Sequence, residues 1–221
     1  GKHGYQKILQ ETMIDLFRAT EGRALVLFTS YSQLRATARS ITKPLARDKI
    51  NVYAQGKGNS RAQLLENFRE DERAVLLGTR SFWEGVDIPG EDLSCLTITK
   101  LPFDVPTDPI VQSRSEVCDN PFNDYMVPEA VLRFLQGFGR LIRTRTDRGV
   151  VAVLDGRLLT KRYVHRFLDS LPGPTVRTGS RHQLPEIAAR WLANESLPPE
   201  ISPTADAPWN VPPPEEPPWE W

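Results

Sequence analysis

Cysteine and histidine are scarce in this sequence: its 221 residues hold two cysteines, Cys95 and Cys118, and three histidines, His3, His165 and His182. They stand far apart, with no CxxC pair and no Cys/His cluster, so neither a disulfide framework nor a metal site is indicated. Cys95, inside the apolar stretch 93–99, reads as a buried thiol. No run approaches the roughly 18 apolar residues of a membrane span, and there is no charged-then-apolar leader. The expectation is a cytoplasmic protein with no membrane partner. Basic residues are missing from the end of the chain: Lys and Arg stop at Arg190, whereas Glu195, Glu200, Asp206, Glu215, Glu216 and Glu220 follow it. Of 28 acids, 22 precede that point together with all 28 bases, which leaves the body at +6. A modestly basic body is compatible with nucleic acid and does not require it.

What is present is the patterning of a globular α/β protein. Hydrophobic residues make up 39% and charged residues 25%, enough for one domain of ordinary size with or without a tail. Tyr5, Ile8, Leu9, Met13, Leu16 and Phe17 recur at helical spacing. The run 24–28 suits a buried parallel strand, and the hydroxyl-rich 29–32 stands where a helix running to about Ser40 should be capped. The unit repeats. A strand at 51–54 and a loop at 55–59 lead to a helix opened by Ser60; a strand at 74–77 leads to a loop at 78–90. A strand at 93–99 is followed by an extended connector at 101–106 and a helix near 108–118. A helix from about Pro128 through Arg143, a strand at 149–155 and a helix near 160–171 complete the series. This alternation predicts an α/β layer fold with a mainly parallel central sheet and helices on both faces. Ligands of such sheets gather at the carboxyl ends of the strands, so the loops at 29–32, 55–59 and 78–90 and the Asp155 end are expected to share one rim.

The stretch 136–143 carries the sharpest chemistry. At about 100° per residue, Gln136, Arg140 and Arg143 fall on one narrow face, and Phe134, Phe138, Leu141 and Ile142 on the other. Gly137 and Gly139 flank the polar face; each costs roughly 1 kcal/mol against alanine in a helix, which reads as clearance for something approaching closely. Two guanidiniums at fixed spacing suit a polyphosphate, and a basic solvated helix face explains them equally well. Beyond Leu171 the texture changes. Residues 173–197 read as a linker with a short helix at 184–193. Residues 198–221, holding nine of the nineteen prolines, read as a Pro/Trp-rich acidic tail, either flexible or a docking peptide.

Several of these stretches resemble a known family. Residues 136–143 with Leu154, Asp155 and Arg157 are similar to motif VI of superfamily-two helicases, and Glu84-Gly85-Val86-Asp87-Ile88-Pro89 to motif V. With Leu27-Phe28-Thr29-Ser30-Tyr31 as motif IV, Lys100-Leu101-Pro102-Phe103 and Asn120-Pro121-Phe122, they resemble the DinG branch of the DinG/XPD group. The resemblance implies a RecA-like three-layer domain over residues 1–172, the second motor domain of an ATP-dependent DNA helicase moving 5′ to 3′ on single strands. It implies Arg140 and Arg143 as catalytic groups facing the γ-phosphate of ATP, in the arginine-finger role. Gln136 and Gly139 lie beside them, with Glu84, Gly85 and Asp87 near the nucleotide. It implies Thr29, Ser30, Tyr31, Thr79, Arg80 and Ser81 as DNA-binding, in keeping with the small hydroxyl residues and backbone amides that suit sequence-blind phosphate contacts. Trp83 or Tyr31 suits stacking on a base, although Trp83 also reads as core. Asp155 and Arg157 are either a coupling pair between nucleotide and DNA or a local cap and ion pair.

The chain lacks parts that such an enzyme needs. A phosphate-cradling loop requires Gly-x-x-x-x-Gly-Lys-Ser/Thr; around Gly56-Lys57, Asn51 stands where the first glycine belongs and Gly58 where the hydroxyl belongs. Asp71-Glu72 precedes a strand, where a Walker B pair should follow one. The expectation is therefore the carboxyl-terminal half of a longer protein or a subunit of a split enzyme, inactive alone. ATP with Mg²⁺ is shared with a missing first motor domain, and any iron-sulfur cluster lies outside this chain. Expected partners are single-stranded DNA, that first motor domain and a protein bound by the tail. The rival readings are a non-catalytic nucleic-acid-binding module and a protein-interaction module that keep the helicase fold.

Overall fold

The structure is a computed structural model that describes residues 2–56, 58, 60–79, 82, 93–142 and 148–198. Five strands, β1 (Ala24–Leu27), β2 (Asn51–Ala54), β3 (Ala74–Gly78), β4 (Cys95–Ile98) and β5 (Val150–Val153), form one parallel sheet in the order β2-β3-β1-β4-β5. The helices are α1 (Lys2–Ala19), α2 (Tyr31–Arg47), α3 (Arg61–Glu70), α4 (Pro109–Ser115), α5 (Val127–Leu141), α6 (Val164–Asp169) and α7 (Leu184–Leu192). Among the described residues no helix is long and apolar enough to cross a membrane.

Successive side chains of a strand point to opposite faces, and here both faces are apolar. Leu25, Leu27, Leu76, Leu96 and Ile98 pack against Leu64 and Phe68 of α3, Phe134 of α5 and Phe167 of α6. Val26, Phe28, Val75, Leu77 and Cys95 pack against Met13 and Phe17 of α1, Leu34 and Ile41 of α2 and Ala188 of α7. The result is the expected three-layer α/β arrangement. Burial on both sides also explains why the central strands are unbroken apolar runs. Cys95 is fully buried, and burial pushes its thiol pKa up to about 12.

Several boundaries differ from the sequence reading for identifiable reasons. α2 is capped by Ser30, whose Oγ accepts from Gln33 N, and runs past Ser40 to Arg47 because Ile41 and Leu45 continue its buried face. Ahead of α5, Phe122–Met126 forms a π-helical turn in which Val127 N bonds Phe122 O, five residues back. This wider turn joins Pro121 to α5 past Pro128, which has no N–H to give. α5 stops at Leu141; Ile142 is extended at φ −112° and ψ 109°. The helix expected near 160–171 is a 3-10 turn, Gly156–Leu159, followed by the short α6. The segment expected as a linker holds α7, which packs on α1 and reaches β5: Trp191 Nε1 donates to Gly149 O at 3.0 Å, and Arg148 Nε to Trp191 O at 2.8 Å.

Candidate nucleotide and nucleic-acid interface

The chain leaves β1 into α2 on one face of the sheet and leaves β4 toward α5 on the other. Because β1 and β4 are neighbours, their carboxyl ends frame the crevice at which open parallel sheets bind ligands. Thr29 is exposed on this rim, beside the half-buried Ser30 and Tyr31. Ser30 Oγ is shared between the α2 cap and Ser32 Oγ at 2.8 Å. The Tyr31 hydroxyl donates to Gln55 O at 3.2 Å, across from β1 to the end of β2. Its ring lies so close to Gly56 that a Cβ there would stand 1.1 Å from the hydroxyl oxygen; with φ at +104° as well, only glycine fits.

Thr79, after β3, is held by the Gln55 side chain, whose Oε1 accepts from both Thr79 N and Thr79 Oγ1 at 2.8 Å. Phe82, fully buried, occupies the space left by the missing Cβ of Gly78. The described loop ends after β1, β2, β3 and β5 do share one rim. Arg80, Ser81, Trp83, Glu84, Gly85, Asp87 and Arg143 lie outside the described residues.

Asp155 ties β5 to the loop after β4. Its carboxylate, 8% exposed, accepts from Leu101 N at 2.8 Å and Arg157 N at 3.0 Å, and pairs with Arg157 Nη2 at 2.6 Å. Burial works to raise the Asp155 pKa, but the Arg157 guanidinium and the two backbone amides outweigh it and leave the carboxyl below the usual carboxylate range. Arg157 also lies 5.2 Å from the centre of the Phe103 ring, within an aromatic cluster of Phe103, Phe122, Tyr163 and Phe167. Among the described residues the contacts of Asp155 have the geometry of a clamp between two strand ends.

α5 runs antiparallel to the strands. Its amino half is fixed to the connector after β4 by Arg133, whose Nη2 meets Asp104 at 2.7 Å with both side chains mostly buried. At its carboxyl end Leu141 abuts Gly149, just before β5. Gln136 and Gly139 are exposed, Arg140 is half-buried and Gly137 is buried. Gly137 is buried, whereas Gly139 is exposed and a Cβ there would meet nothing within 4 Å. Arg140, next to the Leu141 that abuts Gly149, and Asp155 lie toward opposite ends of β5, which puts about 20 Å of extended chain, the six steps from Gly149 to Asp155, between them. Among the described residues the polar face on α5 consists of Gln136, Gly139 and Arg140, and the helix ends at Leu141.

Three rim residues escaped the sequence reading. Tyr5, on α1, donates its hydroxyl to Leu154 O at 3.0 Å and Thr99 O at 3.2 Å, tying the first helix to the ends of β4 and β5; nothing in the spacing of an amphipathic helix signals this. Gln55 was only a loop residue. Arg35 places its guanidinium 4.4 Å from the centre of the Tyr31 ring, and here the four-residue spacing on α2 was a usable signal.

An all-parallel sheet with helices on both faces, a polar rim at its carboxyl edge and one half-exposed glutamine–arginine helix face define an open, three-layer α/β domain with its polar groups gathered at the sheet's edges. The helicase C-terminal domain family matches residues 13–173, and the chain belongs to it. The ATP-dependent DNA helicase YoaA of Haemophilus influenzae is 44% identical over 168 residues, covering 74% of this chain and 26% of that protein. The 3'-5' exonuclease DinG of Bacillus subtilis is 38% identical over 181 residues (78% and 19%), and the ATP-dependent helicase DinG of Mycobacterium tuberculosis 40% over 198 residues (87% and 29%). The chain therefore spans between about a fifth and a third of the length of these relatives. Two solved XPD structures share the fold, one of them apo, with TM-scores of 0.57 and 0.59 at 18% and 19% identity; they cover 79% and 78% of this chain and 35% and 32% of theirs.

Proposed function

We propose that this chain is the second motor domain of an ATP-dependent DNA helicase. In this reading α5 presents Arg140, with Arg143 just beyond it, to the γ-phosphate of an ATP held with Mg²⁺ by a first motor domain. Gln136 and Gly139 border the same nucleotide, joined by Glu84, Gly85 and Asp87. Thr29, Ser30, Tyr31 and Thr79, with Arg80, Ser81 and Trp83, form half of a single-stranded DNA track. The observation that carries the reading is the open ledge at Gly139, beside exposed Gln136 and half-buried Arg140, a face with room for a phosphate chain on a domain of this family. Asp155 and Arg157 hold the rim in shape, and through it couple the two ligand faces. The location is cytoplasmic, and any iron-sulfur cluster belongs to the part of the protein outside this chain.

Alone, the chain should neither hydrolyse ATP appreciably nor unwind, since motor action needs two domains closing on a nucleotide. The test is DNA-stimulated ATPase of the chain combined with the upstream domain. Arg143→Ala and Arg140→Ala should each lower kcat by roughly 10³ or more while leaving single-strand binding intact; unchanged hydrolysis in both variants would remove the finger role. A second reading, a nucleic-acid-binding module whose motor motifs no longer turn over, draws on the B. subtilis relative, which is named an exonuclease. Under it the combined domains bind DNA but do not turn over ATP.

A further inference from the structure

α2 carries Arg35, Arg39, Lys43 and Arg47, each four residues from the next and all exposed. No Asp or Glu occurs within Tyr31–Arg47, and among the described residues none of the four forms an ion pair. Other helices of the fold neutralise their cations locally: Lys7 with Glu11 and Arg18 with Asp15 on α1, Arg133 with Glu129 on α5, Arg190 with Glu186 on α7. Like charges four apart on a helix repel, and Arg35 sits near the positive end of the helix dipole. α2 holds this arrangement at a cost that a bound polyanion would relieve.

Each four-residue step advances about 6 Å and turns about 40°. From Arg35 to Arg47 the stripe therefore runs about 18 Å and winds through a third of the helix circumference. It begins at the rim, one turn beyond Tyr31. The exposed residues between the cations are Ser40, Thr42 and Ala46, so the face offers charge on long arms without the apolar centre that a folded protein partner needs. We propose that this stripe binds the sugar-phosphate backbone of a single strand leaving the rim, extending the nucleic-acid track along the outer side of α2. The proposal rests on the reading of the rim as a nucleic-acid interface.

The test uses the 221-residue chain and its Arg39→Gln/Lys43→Gln/Arg47→Gln variant, titrated with labelled oligo-dT of about 4 and about 20 nucleotides between about 50 and 200 mM salt. Each single-strand phosphate contact contributes about 0.7 to the slope of log affinity against log salt. For the longer strand, the variant should show a slope shallower by about 2 and at least tenfold weaker binding at low salt. Binding of the short strand should be unchanged, and the variant should melt no lower than the wild type because repulsion has been removed. An unchanged slope on the longer strand, with the wild type binding normally, overturns the stripe and leaves the rim standing. Failure of the wild type to bind either strand overturns the rim reading as well. If the slope is unchanged and a peptide of residues 199–221 binds the wild type but not the variant, the stripe is the seat of the acidic tail and the proposal falls.

Discussion

The two ends of β5 satisfy their polar groups in different ways. At the carboxyl end Asp155 is held by Leu101 and Arg157, Thr79 by Gln55, Gln55 O by Tyr31, and Asp104 by Arg133. Apart from the Asp155–Arg157 pair, which lies within one turn, these bonds join loops from different strands or a loop to a helix, so the rim is a braced scaffold. At the amino end α5 turns Gln136 and Gly139 outward with Arg140 half-buried beside them. The carboxyl end uses its polar groups to join its loops, whereas the amino end, tied to α7 through Trp191 and Gly149, also carries the outward-facing Gln136 and Gly139 of α5. Substitutions at the braced end should therefore act first on folding, and those on the α5 face on chemistry.

That contrast is tested most severely by Arg133→Ala. Removing the guanidinium from Asp104, 9% exposed, should cost about 3 kcal/mol, in the range for breaking a buried pair. A urea melt showing a loss under about 1 kcal/mol would mean that this end is not braced. Next, Asp155→Asn should cost on the order of 2 kcal/mol near neutral pH, as expected for bonds to a charged group. The folded-state pKa of Asp155 is depressed, so its stabilisation is present above the unfolded value of about 3.9 and is lost as pH falls through the lower folded value. The stability gap between variant and wild type should thus narrow in acid; a gap constant from pH 7 to about pH 3 would remove the charge from the account.

Gly139→Ala probes the presenting end, with opposite signs for its two readouts. Stability should rise by about 0.5–1 kcal/mol, since the position is helical and open, while ATPase of the combined domains falls. An undiminished rate would leave this ledge with no ligand to admit. The smallest effect is expected for Tyr31→Phe, which loses only the hydroxyl bond to Gln55 O at 3.2 Å. About 0.5–1 kcal/mol should be lost, and a larger loss would show the rim to be more tightly coupled than its single bonds imply.

Much of the fold was legible because its signals are local. The strands announced themselves as short apolar runs, being buried on both faces, and Ser30 and Ser60 stood where helix caps belong. The π turn before α5 was not legible, since helical periodicity assumes a regular 3.6-residue turn. Gly137 and Gly139 looked equivalent on a wheel, which does not record how far the packed side of α5 extends. α7 looked like an island in a linker because its docking groups, Gly149 O and the α1 face, lie far away in the chain.

The sequence by itself determined the α/β class, the paired burial of the strands and the family, since each follows from residue spacing or from motifs read in order. Only the tertiary structure decided what Asp155 and Arg140 are to each other. Their separation depends on the length of β5 and on the antiparallel run of α5. The bonds that define each end also join residues remote in sequence: 54 positions from Leu101 to Asp155, 149 from Tyr5 to Leu154 and 42 from Gly149 to Trp191. Contacts across such distances are created by chain reversal and sheet order, which no local pattern encodes.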